Sequence, residues 1–389
     1  MSFPLALPCH DFLTQDADAV IVIAANTQSL GHTQLDVALA PYLAVDQRIN
    51  SKATLVLAND LPGKRLIVSP TGPLHRDYDD VRRIFDAAKS AIVEAKAAGV
   101  TKPALIVTGL PADERYKNAL EVAFLGACQA LWQPLEAREY RGESIEPVTE
   151  IHLVDATDAQ AKQLNAIAAG QYAARDLCGT EPERMAPPRF ADYCVELFAN
   201  TSVSVEVIAD IDKIESDYPM LGMVARASYA VERHLPRVFK LEYTPTGDVT
   251  RTLMFVGKGL VYDTGGADLK VGGHMSGMSR DKGGAASVAG FVKSVSDYQA
   301  KGVKGVAFLT VVRNSIGSDC FVPDEIITTR EGVRVRIGNT DAEGRLAMGD
   351  LLSEIKDLAK NEVNPEIFTV ATLTGHAARA MGPYSALVE

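Results

Sequence analysis

The sequence predicts an α/β protein of two domains. Apolar β-type runs alternate with stretches of helical periodicity, and the alternation halts at a polar, proline-bearing stretch, 179–188, before it restarts. The length agrees, because 389 residues exceed what one hydrophobic core ordinarily organises.

Apolar runs at 19–25, 53–58, 65–69, 104–108 and 151–154 read as strands. Between them, 79–98 places Val81, Ile84, Phe85, Ala88, Ile92 and Ala95 at the helical period, with Gly99 at the C-terminal cap position. A second helix is expected near 116–131. This makes one α/β domain, 1–157, with a mostly parallel sheet. The alanine- and glutamine-rich stretch 158–175 reads as a connecting helix, and the second domain as 176–389. There the expected strands are 204–208, 237–243, 252–256, 306–312 and 367–372, with helices at 190–198 and 284–298.

Composition bounds the class. A hydrophobic fraction of 47% and a charged fraction of 23% belong to a globular chain. The net charge of −11 argues against a general nucleic-acid or anionic-membrane surface. Cys9, Cys128, Cys178, Cys194 and Cys320 are scattered without a CxxC pair, the usage of a reducing compartment. No run is long and apolar enough to span a bilayer, and the N-terminus lacks a basic leader. A cytoplasmic location is the expectation.

Chemistry concentrates in two segments of the second domain. The run NTDAEGRL, 339–346, sets Asp341, Glu343 and Arg345 on a turn between a short β-branched run, 333–338, and a helical stretch, 346–358. The run VGKGLVYDTGG, 256–266, carries Lys258 and Asp263 among glycines that permit positive φ and close approach. Lys270 and Asp281 follow, with Gly283 and Gly284 opening the next helix. A phosphate loop is disfavoured, because its motif needs an upstream glycine and a serine or threonine after the lysine. Four carboxylates, Asp263, Asp281, Asp341 and Glu343, instead form a hard-oxygen donor set for Mg²⁺, Mn²⁺ or a Zn²⁺ pair. Two such ions could clamp and activate a water.

These motifs, in register over 256–346, resemble the leucyl aminopeptidase (cytosol aminopeptidase) family. YDTGG in place of the commoner FDSGG is similar to a branch described as probable aminopeptidases. The resemblance implies a mixed-sheet, metallo-exopeptidase-like catalytic domain behind a variable N-terminal α/β domain, and release of N-terminal residues from peptides. It implies two divalent ions held by Lys258, Asp263, Asp281, Asp341 and Glu343, with Asp263 and Glu343 bridging. As a ligand, Lys258 must be neutral, with a pKa well below the usual ~10.4, a depression the adjacent cations could supply. Lys270 would polarise the scissile carbonyl, and Arg345 would hold a bicarbonate-like anion that takes the proton of the water. Met278 would line the pocket for the first side chain, and Leu373 and Gly375 would contact the peptide backbone. A homohexamer is also implied. The family continues past the TLTG loop, 372–375, whereas this sequence stops at Glu389, so an incomplete catalytic domain is expected.

Two departures from the family bear on the pocket. Met278-Ser279-Arg280-Asp281-Lys282 displaces the usual methionine–lysine pair, and Arg313-Asn314-Ser315 replaces an acidic–asparagine–methionine run. Plainer readings stand beside the catalytic one. Asp281 could cap the helix that follows, Arg345 could pair with Asp341, and Lys270 could be solvated. His274, His376 and the other histidines have no ligand spacing. The rival functions are a non-catalytic family member with a structural or regulatory role, and another two-metal hydrolase such as a phosphoesterase.

Overall fold

The computed structural model describes residues 3–13, 16–141 and 145–389. It divides into two compact units, Met1–Ala169 and Gly170–Glu389. The division falls inside a single helix, Asp158–Gly179.

The first unit is built on strands β1 (Leu5–Cys9), β2 (Ala19–Ala24), β3 (Thr54–Leu57), β4 (Arg65–Pro70), β5 (Pro103–Thr108) and β6 (Glu150–Val154). They form one sheet in the order β1-β6-β5-β2-β4-β3. Every pairing is parallel except that of β3 with β4. Central β2 is buried along its whole length, as a strand covered on both faces should be. Helices Arg82–Ala97 and Ala119–Leu131 confirm the two amphipathic stretches. Strand β1 and helix Thr33–Leu43 are additions to the sequence reading. The first is a five-residue run containing Pro8, and the second contains Pro41 and starts without a side-chain cap, so neither carries a strong local signal.

The second unit has a five-stranded sheet, from β7 (Val203–Ile208), β8 (Arg237–Tyr243), β9 (Arg251–Asp263), β10 (Val303–Asn314) and β13 (Pro365–Val370). Its order is β13-β9-β10-β8-β7, parallel from β13 through β10 and antiparallel beyond, hence mixed. Helix Glu343–Ala359 lays Met348, Leu351 and Ile355 on Met254, Val256, Val306 and Phe308. Helix Gly283–Tyr298 packs on the opposite face, where Gly257 and Gly259 meet Ala285. The expected strand 333–338 is shorter and elsewhere. It is β12 (Arg334–Arg336), paired with β11 (Ile326–Thr328) in a separate antiparallel ribbon.

Candidate metal centre

Strand β9 does not end before the glycines, as its apolar pattern suggests, but runs through them to Asp263. Lys258 thereby lies in register with Thr310, and Asp263 with Asn314 after a shift between Val312 and Arg313. The glycines serve packing before they serve a turn. A Cβ on Gly257 would stand 2.8 Å from Ala285 Cα, so the glycine lets the helix close on the strand. Positive φ belongs instead to Gly265 (89°) and Gly266 (67°), which turn the chain after Asp263.

The second motif folds as a 3-10 turn, Thr340–Ala342, running into helix Glu343–Ala359. Asn339 caps the turn by accepting a hydrogen bond from the Asp341 N–H at 2.6 Å. Gly344 is required because a Cβ there would lie 2.6 Å from Lys258 Cε. The two motifs pack against each other at this lysine.

All the residues singled out for chemistry line one cavity of about 1140 Å³: Lys258, Asp263, Lys270, Met278, Asp281, Asp341, Glu343, Arg345, Leu373 and Gly375. Carboxylate oxygens of Asp263, Asp341 and Glu343 lie within 4.8 Å of one another. Asp281 stands outside that trio and joins it through Lys258, whose Nζ is 2.8 Å from both Asp281 Oδ2 and Glu343 Oε1. Lys270 Nζ lies 2.8 Å from Asp263 Oδ2 and also pairs with Asp341. It is therefore not a solvated lysine.

The other plain readings also give way. The residue before helix Gly283–Tyr298 is Lys282, without a side-chain cap, while Asp281 Oδ1 accepts from Thr372 Oγ1 at 2.7 Å. Asp341 pairs with Lys270, and Arg345 makes no ion pair among the described residues. The departures from the family pattern are absorbed away from the acids. Arg313 reaches Glu183 Oε1 at 3.1 Å, and fully buried Lys282 donates to the Thr180 carbonyl at 2.8 Å.

Three supports escaped the sequence reading. Asn314 Nδ2 donates to Asp263 Oδ1 at 2.8 Å and to the Thr340 carbonyl at 3.2 Å. Thr372 holds Asp281, as above. Thr340 and Asp268 clamp the two motif loops together, Thr340 N to Asp268 Oδ2 at 2.7 Å and Asp268 N to Thr340 Oγ1 at 2.8 Å. These contacts join residues 26 to 91 apart in the chain, and only the asparagine's place in the replaced run hinted at any of them.

The electrostatics fit a cation centre. Burial lifts the Glu343 carboxyl to about 7, against the opposing pull of Lys258. Burial raises Asp281 as well. Glu343 Oε2 is buried without a hydrogen-bond partner among the described residues, a costly arrangement for an oxygen with nothing to bind. Lys258 shows the balance of forces that holds before any cation is bound. Burial lowers its pKa, but Glu343 and Asp281 raise it more, so it stands above the ordinary lysine value rather than below. Without cations the acids keep it an ammonium, the reverse of the neutral amine that a ligand role requires. Lys270 is raised too, its paired carboxylates outweighing burial.

The model of the cytosol aminopeptidase family's catalytic domain matches residues 172–389. The chain is 42% identical over 385 residues to a Caenorhabditis elegans protein named as an aminopeptidase, covering 96% of this chain and 73% of that one. The chain belongs to the cytosol aminopeptidase family. A second relative, the probable cytosol aminopeptidase of Micrococcus luteus, is 32% identical over 329 residues, or 83% of this chain and 62% of that one. The fold matches leucyl aminopeptidase from Trypanosoma cruzi at a TM-score of 0.77 and 24% identity, over 94% of this chain and 72% of that chain. Membership places the chain among metal-dependent aminopeptidases, a class of metallo-exopeptidase hydrolases. No helix among the described residues is long and apolar enough to cross a membrane.

Proposed function

We propose that this chain releases N-terminal residues from peptides at a centre of two divalent cations held by Lys258, Asp263, Asp281, Asp341 and Glu343. The observation that carries the reading is the carboxylate trio within 4.8 Å, whose innermost member keeps a buried oxygen without a partner. Zn²⁺, Mn²⁺ and Mg²⁺ all suit an oxygen-rich set of this kind. When bound, two such ions supply Lewis acidity and lower the pKa of a water to near neutrality.

The chain's own residues do the rest. Asp263 and Glu343, the most buried of the four acids, are the natural shared ligands. Asn314 and Thr372 hold Asp263 and Asp281 in place. Lys270, kept an ammonium, donates to the scissile carbonyl oxygen and stabilises the oxyanion once its two carboxylates are otherwise engaged. Arg345, exposed in the cavity wall without an ion pair among the described residues, holds a bicarbonate-like anion that accepts the water's proton. Met278 lines the pocket for the first side chain, and the Leu373 carbonyl and Gly375 N–H align the peptide. Assembly as a homohexamer and a cytosolic location belong to the same reading, the latter supported by five cysteines that are all free thiols.

The test is hydrolysis by the Mn²⁺-loaded chain of leucine p-nitroanilide against p-nitrophenyl phosphate. Turnover of the anilide is expected. Turnover of the phosphate alone would replace the peptidase with a phosphoesterase, and metal binding without either turnover would favour a non-catalytic role.

A further inference from the structure

The cavity is lined by four acids, Asp263, Asp281, Asp341 and Glu343, and by four cations, Lys258, Lys270, Arg280 and Arg345. Each lysine touches two of the acids. Neither arginine side chain has an ion pair or hydrogen bond among the described residues. Arg345 has a place in the mechanism. Arg280 has none, and it is a guanidinium kept at the cavity wall without an acid.

Its backbone, by contrast, is firmly held. Arg280 closes the 3-10 turn Met278–Arg280, which is entered through Gly277 at a φ of 89°. Arg280 N–H donates to the Gly277 carbonyl at 3.1 Å, and Asp281 N–H to the Met278 carbonyl at 3.2 Å. From beneath, buried Lys282 takes the Ser279 carbonyl together with that of Thr180. The turn thus fixes where the side chain starts, one residue from Asp281 and two from Met278, while its head remains exposed. A rigid base with an unengaged fork loses little freedom on gripping a planar anion.

We propose that Arg280 is a specificity residue that binds a carboxylate of the peptide substrate. The inference rests on the aminopeptidase reading. The lining carries four acids against four basic side chains, so two divalent ions would leave a cationic cavity even with Lys258 neutral as a ligand, and such a cavity favours anionic peptides. The carboxylate could be the side chain of the N-terminal residue, the side chain of the next residue, or the C-terminus of a dipeptide.

The experiment measures equilibrium binding to the Mn²⁺-loaded full chain, with dipeptide analogues whose scissile amide is reduced to CH2–NH. Each pair differs only in the anion: Leu-Ala acid against Leu-Ala amide, Leu-Glu amide against Leu-Gln amide, and Glu-Ala amide against Gln-Ala amide. In at least one pair the acid is expected to bind about tenfold more tightly, and R280Q to close that gap. The pair that shows it names the source of the carboxylate. No gap in any pair with the wild-type chain, or a gap of equal size in R280Q, overturns the proposal. If R280Q does not fold, R280K decides, since an ammonium cannot reproduce the fork and the gap must shrink; an undiminished gap counts against Arg280. Because binding is read without cleavage, a failure of leucine p-nitroanilide hydrolysis with the gap intact counts against the peptidase reading instead.

Discussion

Helix Glu343–Ala359 carries two buried carboxylates of opposite character. Glu343 opens its first turn and Asp350 lies two turns on, each only 1% exposed. Burial raises the pKa of both. Asp350 has each oxygen satisfied by a backbone donor, Met220 N–H at 2.7 Å and Arg330 N–H at 2.9 Å. Glu343 has one oxygen on Lys258 and the other on no partner among the described residues. Equal burial on one helix therefore separates two purposes. A fully satisfied acid ties loops to a scaffold, and an under-satisfied acid is poised for a ligand.

The comparison can be broken in four places. Glu343→Gln keeps the shape and removes the charge. Its kcat/KM on leucine p-nitroanilide should fall by more than about a hundredfold, beyond the usual loss from an outer-shell change. Unchanged turnover would return Glu343 to a structural role. Asn314→Ala withdraws the donor to Asp263 and should weaken metal binding by about 10–100-fold, read by competition with a chromogenic chelator. Chelation of the wild-type chain should lower its melting temperature, since metal at a hundred times its Kd contributes about 2.7 kcal/mol. A melting curve indifferent to chelator and added Mn²⁺ would contradict this. Asp350→Ala orphans two backbone donors and should cost about 1–3 kcal/mol in denaturant unfolding, with metal content unchanged. A loss of metal in that variant would erase the distinction between the two acids.

Much of this was legible from the sequence, and the limits have physical causes. Strands such as β2 and β8 announce themselves because their apolar runs are continuous or alternate cleanly. Strand β9 was cut short because glycine ordinarily interrupts a strand. Here Gly257 and Gly259 are the only residues small enough for Ala285 and Thr310 to pass, a tertiary demand that no local pattern records. The cavity residues were legible because each sits inside a motif with fixed spacing. Asn314, Thr372 and the Thr340–Asp268 clamp were not, because each acts on a residue brought near only by the fold. The ammonium state of Lys258 in the metal-free chain had no local signal either. Its two acid partners lie 23 and 85 residues downstream, at Asp281 and Glu343, and their combined pull outweighs burial.

The central claim is that these acids and lysines form a centre for two cations. An elemental count of divalent metal per chain, on protein purified with Mn²⁺ or Zn²⁺ and freed of loosely bound ions, tests it most directly. Two ions per wild-type chain and fewer in Glu343→Gln are expected. No bound metal in a chain that still hydrolyses leucine p-nitroanilide, or a full complement in the variant, would contradict it.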